Sequence, residues 1–325
     1  MPQDSRSIYG GQAVIEGVMF AGRHVNVTAV RRKNEDIVFY EVPRTPQRWV
    51  QRLKKIPILR GVVGIVESSA KGSQHLNFSM EAYAEDETAD KDAAQAGSVS
   101  SNEPKKTDEG KSGWSLSMIV GVAVAGVLSF VFGKVLFTAV PAIVESLLFE
   151  DMFENRVVHN LLEGLIKVIF LLAYLYFISL TPLIKRLFQY HGAEHKVISA
   201  YEAGVDLTVD NVQKFSRLHY RCGSSFLIFT VIVGVIVYSL PIFSWDTIWE
   251  RVYIRLLLLP VTLGISYEVL RLTNALRDIP LLRYLGYPGL WLQLLTTKEP
   301  NNEQVSVSIA SFNRMRELDE QMARS

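Results

Sequence analysis

The chain holds a single cysteine, Cys222, among its 325 residues, which excludes an intramolecular disulfide and leaves the redox compartment open. It has no excess of one charge either. Lys and Arg balance Asp and Glu to a net +1, so nothing global points to nucleic acid as a partner. The opening MPQDSRSIYGG lacks an apolar core, so no cleavable signal peptide is expected and any membrane insertion must use internal segments. Residues 84–113 lack aromatics, and Val99 is their only large aliphatic. Such a stretch cannot bury enough apolar surface to offset ordering entropy, and it reads as a disordered cytosolic linker.

Apolar residues, by contrast, are plentiful. They make up 49% of the chain, and the mean hydropathy of +0.17 is diluted by the polar N-terminal third. Four stretches, 115–138, 161–184, 224–243 and 252–270, approach the ~20 residues needed to cross a hydrocarbon core of about 30 Å. Trp114, Trp245, Trp249 and Tyr253 sit at their ends, where interfacial aromatic belts belong. The connection 185–222 carries Lys185, Arg186, Lys196, Lys214, Arg217 and Arg221, whereas the two opposite connections hold only Arg156 and Arg251 among several acids. By the positive-inside rule both termini are cytoplasmic. Glu163 and Lys167, four apart, read first as a pair near the lipid–water boundary, with Lys134 also near an outer end.

The fold class expected is therefore mainly α: a polytopic membrane protein with four transmembrane helices and a small cytosolic region containing a β-hairpin. Residues 1–83 form that region, 84–113 the linker, 114–272 the membrane domain with a motif-bearing loop at 185–223, and 273–325 an interfacial segment plus C-terminal helix. Residues 25–31 and 37–42 alternate as strands around a polar connection. GGQAVIEGVMFAG precedes them as a short apolar run, with Glu16 its only acid. Residues 46–55 set Arg48, Arg52, Lys54 and Lys55 beside Trp49, the composition of a basic helix on a lipid surface, which Pro57 ends. Segment 58–80 is not counted as a span because Arg60, Glu67 and Lys71 interrupt it.

Chemistry concentrates in QYHGAEHKVISAYEAG. His191 and His195 are four apart and share one helix face, so both imidazoles can reach one divalent metal ion, zinc being the first choice. Glu194 beside them completes H-x-x-E-H, in which a carboxylate serves as general base toward water. A catalytic zinc needs a third protein ligand and an open position. Glu202 lies too far along the same helix, eleven residues or about 16 Å from His191. His219 and Cys222 in LHYRCGSS are better placed, because topology brings them to the same membrane face, and Glu268 and Glu16 are further candidates.

GGQAVIEGVM (10–19), RGVVGIVES (60–68), YHGAEHK (190–196), RCGSSF (221–226), GISYEVLRL (264–272) and GLWLQLLTTKEP (289–300) together resemble the YqhQ-like family of bacterial membrane proteins. The resemblance covers nearly everything except the linker. It implies a multi-pass protein of the bacterial plasma membrane and a predicted metal-dependent enzyme, with His191, Glu194 and His195 in one motif and His219 and Cys222 in an H-x-x-C-G motif. Tyr220 stands where the family pattern has Pro, which loosens the expected turn.

Three functions compete on this basis. The first is a membrane-embedded metal-dependent hydrolase acting on a peptide or a lipid-linked substrate. The second is a non-enzymatic membrane regulator or scaffold whose β-hairpin and basic helix hold a membrane protein partner near the bilayer, any metal being structural; a closed shell of His191, His195, His219 and Cys222 would favour it. The third, a transporter, fits less well, because paired polar residues are expected near mid-membrane and are found here mainly near the ends.

Overall fold

The computed structural model describes residues 9–45, 47–96, 132–133, 136–240 and 247–324. Two compact units result: one gathers Met1–Glu87, Leu172–Gly234 and Leu259–Ser325, the other Thr88–Leu171 and Val235–Leu258.

The first unit is built on a four-stranded antiparallel meander, β1 (Gly10–Val14), β2 (Gly17–Ala21), β3 (Val25–Arg31) and β4 (Ile37–Pro43). The expected β3–β4 hairpin is present, with Ala29 opposite Phe39. The glycine-fenced run before it is itself a hairpin. Its turn places Glu16 at φ 53°, and the Glu16 carbonyl accepts from the Arg31 N–H at 2.9 Å. Gly17 follows because β3 passes so close that a Cβ would strike the Ala29 carbonyl.

One face of the sheet, with Val18, Phe20, Val25, Val27 and Ala29, meets two helices: α5 (Pro182–Ala203), through Tyr190, Ala193 and Val197, and α11 (Asn302–Arg324), through Val305, Phe312 and Met315. Each large apolar side chain buried there contributes about 1.5–3 kcal/mol. The C-terminal helix is thus part of the same compact unit as the N-terminal sheet rather than a separate polar tail. The other face packs Val14 and Val30 on α2 (Leu59–Ala96), through Leu76, Phe78 and Ala82. There His75 shares a 2.6 Å hydrogen bond with the Thr28 hydroxyl, and burial pushes its pKa down to about 4, so it is neutral at physiological pH.

Helix α2 corrects the expected start of the linker at residue 84, since it continues to Ala96. Residues 84–96 contain five alanines and neither Gly nor Pro, a composition that favours helix. Arg32 and the Lys33 N–H hold Asp86 at 2.8 and 3.0 Å, an anchor that composition could not reveal. Residues 97–113 of the expected linker lie outside the described residues. The basic helix is present but short, α1 (Arg48–Leu53), with Trp49 exposed.

Not all of the four expected spans appear as single long helices among the described residues. Among the described residues, only α4 (Arg156–Ser179) is by itself long and apolar enough to cross a bilayer, and 17% of its most apolar window is buried. Segment 252–270 is not one helix: α8 (Ile248–Leu257) and α9 (Leu259–Ala275) meet at a 54° bend. Pro260 lies at that break and cannot donate a helical N–H. Helices α3 (Leu136–Phe149) and α7 (Ser225–Tyr238) are apolar but shorter. Most of 115–138 lies outside the described residues, as does Lys134. Among the described residues the structure supports one such helix, or two if the bent pair is counted as a span.

The second unit buries a charge network. Glu163 accepts from Lys167 at 2.8 Å and Arg251 at 2.6 Å and also pairs with Arg255; Glu145 accepts from Arg251 at 2.7 Å and meets His159 at 2.5 Å. Glu163 is therefore buried among cations, not a surface partner of Lys167 alone.

The sheet is locked to α11 by Asp319, whose carboxylate accepts the backbone N–H groups of Arg23, His24 and Val25 at 2.7, 2.7 and 3.3 Å. Asp319→Ala leaves these donors without their ionic acceptor. A loss of about 2–4 kcal/mol is expected in chemical denaturation, against less than 1 kcal/mol for Glu320→Ala on the exposed face.

Candidate metal centre

His191 and His195 lie one turn apart on α5, with ring centroids 4.5 Å apart. The two motif positions between His191 and Glu194 are small for a packing reason. Ala193 is fully buried, and a Cβ on Gly192 would run into the Lys298 carbonyl. The segment after α10 (Tyr287–Thr296) crosses α5 at this point, tied down by a 2.9 Å bond from the Lys298 N–H to the Phe188 carbonyl.

This crossing orients the first imidazole. His191 Nδ1 is 2.8 Å from the Thr296 carbonyl, and His195 Nδ1 is 2.6 Å from the Arg217 carbonyl. A carbonyl can only accept, so both Nδ1 atoms carry the proton and both Nε2 atoms present a bare lone pair. Fixing the far nitrogen on a carbonyl is the usual outer support of a metal-bound histidine. His191 Nε2 stands 3.2 Å from Cys222 Sγ. The candidate ligand atoms of His191, His195 and Cys222 all lie within 4.8 Å of one another. Ligand bonds of about 2.0–2.3 Å to one tetrahedral ion require separations of roughly 3.3–3.8 Å, so small adjustments suffice. Cys222 Sγ also lies 3.4 Å from the Ser224 N–H and 3.0 Å from its hydroxyl, donors that suit a thiolate.

His219 stands beside the cluster, not within it. Its ring is 5.8 Å from that of His195. Its Nδ1 accepts from the Arg221 N–H at 3.3 Å, so Nε2 carries the proton and points to the Glu202 carboxylate 3.7 Å away. That is the opposite tautomer from His191 and His195, with no bare nitrogen aimed at the cluster. Burial lowers its pKa to about 4, and burial also lowers that of His195, so both are neutral at pH 7. Glu202 itself pairs with Arg221, in keeping with its expected exclusion from the ligand set.

Glu194 is buried against β1, where a Cβ on Gly11 would come within 2.9 Å of its carboxylate. Burial raises its pKa, against the opposing influence of His191, His219 and the Gly11 backbone. The two further candidates are engaged elsewhere. Glu16 is held by Arg186 and by the Tyr190 hydroxyl at 3.3 Å, and Glu268 by Arg60 and the Ile58 N–H at 3.3 Å. An arginine neutralises each, which removes both from the ligand set.

The outer support includes residues that motif reading did not place. Gln293, fully buried, donates to the His219 carbonyl and the Ser225 hydroxyl and accepts from the His219 N–H, all at 2.8 Å. It pins the Cys222 loop by its backbone, which answers the absence of Pro at Tyr220. The only advance sign was a lone glutamine in an apolar run.

Residues 56–318 match the family described as "Protein of unknown function (DUF1385)". The chain belongs to this family. It is also 53% identical over 311 residues to "Uncharacterized protein YqhQ" of Bacillus subtilis (strain 168), covering 96% of this chain and 93% of that protein. No solved structure matches.

Gly192 gives the packing a direct test. In an open helix, Gly→Ala stabilises by up to about 1 kcal/mol. Here Gly192→Ala must push the 297–300 segment away and carry the Thr296 carbonyl off His191. A destabilisation of about 1–3 kcal/mol in urea melts is expected, together with weaker zinc binding in a competition titration.

Proposed function

We propose that this protein is a metal-dependent hydrolase of the bacterial plasma membrane, with its centre on the cytoplasmic side. The carrying observation is the pair of bare Nε2 atoms converging with Cys222 Sγ while both Nδ1 atoms are held by carbonyls. Among the described residues no fourth side chain joins that group, so a metal held by these three would keep room for substrate or water. His191, His195 and Cys222 would hold the ion. Zinc bound there would supply Lewis acidity toward a carbonyl or phosphoryl oxygen. Glu194, its affinity for a proton raised by burial, takes the proton of the attacking water and returns it to the leaving group.

The membrane placement rests on the apolar, largely unburied α4, the bent α8–α9 pair and the Lys/Arg bias of 185–222. The topology proposed is four spans with both termini cytoplasmic, and the substrate is a peptide or a lipid-linked molecule. One observation favours a structural metal in a non-enzymatic scaffold instead: His195 and Cys222 are only 2% and 6% exposed. The turned-away His219 counts against it, because the closed four-ligand shell that such a site needs is not formed.

Metal analysis of detergent-purified protein, prepared without added metal, tests the reading. About one zinc per chain is expected, lost in His191→Ala/His195→Ala and in Cys222→Ser and kept in Glu194→Gln. Absence of metal from the wild type, or its retention in the double variant, overturns the reading. A scaffold metal differs in that its removal unfolds the first unit.

A further inference from the structure

A basic and aromatic face adjoins the metal loop. Gly286, in the 3-10 turn Leu282–Gly286, packs so closely under Tyr220 that a Cβ there would meet the ring at 2.7 Å. Tyr220 immediately precedes Arg221 and Cys222, so this turn lies against the loop that carries Cys222. Around it Leu281 is 78% exposed and Trp291 65%, with Leu285 also outward. Arg283 lies over the Tyr284 ring at 5.3 Å.

Basic residues outnumber acidic ones on this face. Residues 279–298 contain no Asp or Glu. Arg277, one turn before, has Asp278 at 3.7 Å as an acidic neighbour, but that carboxylate is 80% exposed and screened by water. Arg277 is also near enough to Arg221 and His219 to oppose a further positive charge on either. Arginines gathered beside outward Leu and Trp match a phosphate at the level of the headgroups with an acyl chain below it. A soluble anion would have no use for the apolar part, and a neutral lipid none for the arginines.

We propose that this face seats a lipid-borne phosphate next to the metal centre, with Arg277 and Arg283 on the phosphate and the hydrocarbon along Leu281, Leu285 and Trp291. The substrate class of the hydrolase is then a phosphate-bearing lipid or lipid-linked molecule. This rests on the metal reading above for its catalytic meaning, but not for binding.

The test is calorimetric titration of the full-length protein in detergent with short-chain phosphatidic acid, diacylglycerol of the same chain length, and inorganic phosphate. Phosphatidic acid is expected to bind at least about tenfold more tightly than either of the others. Arg277→Gln and Arg283→Gln should each weaken it by about tenfold, Arg277→Lys by less, and Trp291→Ala should weaken it without altering the preference for phosphate. Equal binding of diacylglycerol, binding of inorganic phosphate as tight as the lipid, or unchanged affinity in the arginine variants overturns the proposal. Zinc is measured in the same samples. Lipid binding lost with zinc retained strikes this inference alone, and zinc absent with lipid binding intact strikes the hydrolase reading alone.

Discussion

Two hydrogen bonds from imidazole Nδ1 to main-chain carbonyls carry the chemical account. Each removes one nitrogen from play and fixes the other as a lone pair. The two acceptors come from different parts of the chain, Thr296 at the end of α10 and Arg217 in the loop before α7. The site therefore exists only when three separate segments are docked. Burial adds to this, because it lowers the pKa of His195 and so disfavours a second proton on the ring.

The docking has its own physical causes. Gly192 and Ala193 let the 297–300 segment lie on α5, and Gln293 satisfies both polar groups of the His219 peptide at once. Beneath them, α5 and α11 share the sheet's apolar face through Tyr190 and Phe312. Buried polar groups with every bond made specify one arrangement more sharply than apolar contact alone. The helix with the paired histidines is thus held by the sheet on one side and by the C-terminal third of the chain on the other.

Much of this was legible from residue order. His191 and His195 share a face because a helix repeats every 3.6 residues, and no tertiary information is needed for that. Cys222 could be placed nearby because it follows a loop returning to the same end. The limits were also physical. His219 has the same side chain as His191 and His195, and only the Glu202 and Arg221 contacts decide which nitrogen holds its proton. Glu16 and Glu268 looked available until Arg186 and Arg60 were brought to them from distant segments. The β1–β2 hairpin was hidden because Glu16 sits at a positive φ, where glycine is the usual signal. The length of α2 was hidden because a polar, Ala-rich run satisfies both helix and coil until Arg32 anchors it. Among the described residues, the last hydropathy peak likewise did not become one long helix, since Pro260 lies at the bend that divides it.

X-ray absorption at the zinc edge of the purified protein tests the central arrangement most directly. The account predicts about two nitrogen scatterers at roughly 2.0–2.1 Å, one sulfur at roughly 2.3 Å and one light, exchangeable ligand from solvent or substrate. A shell without sulfur, or one closed by three imidazoles and a thiolate, would contradict it.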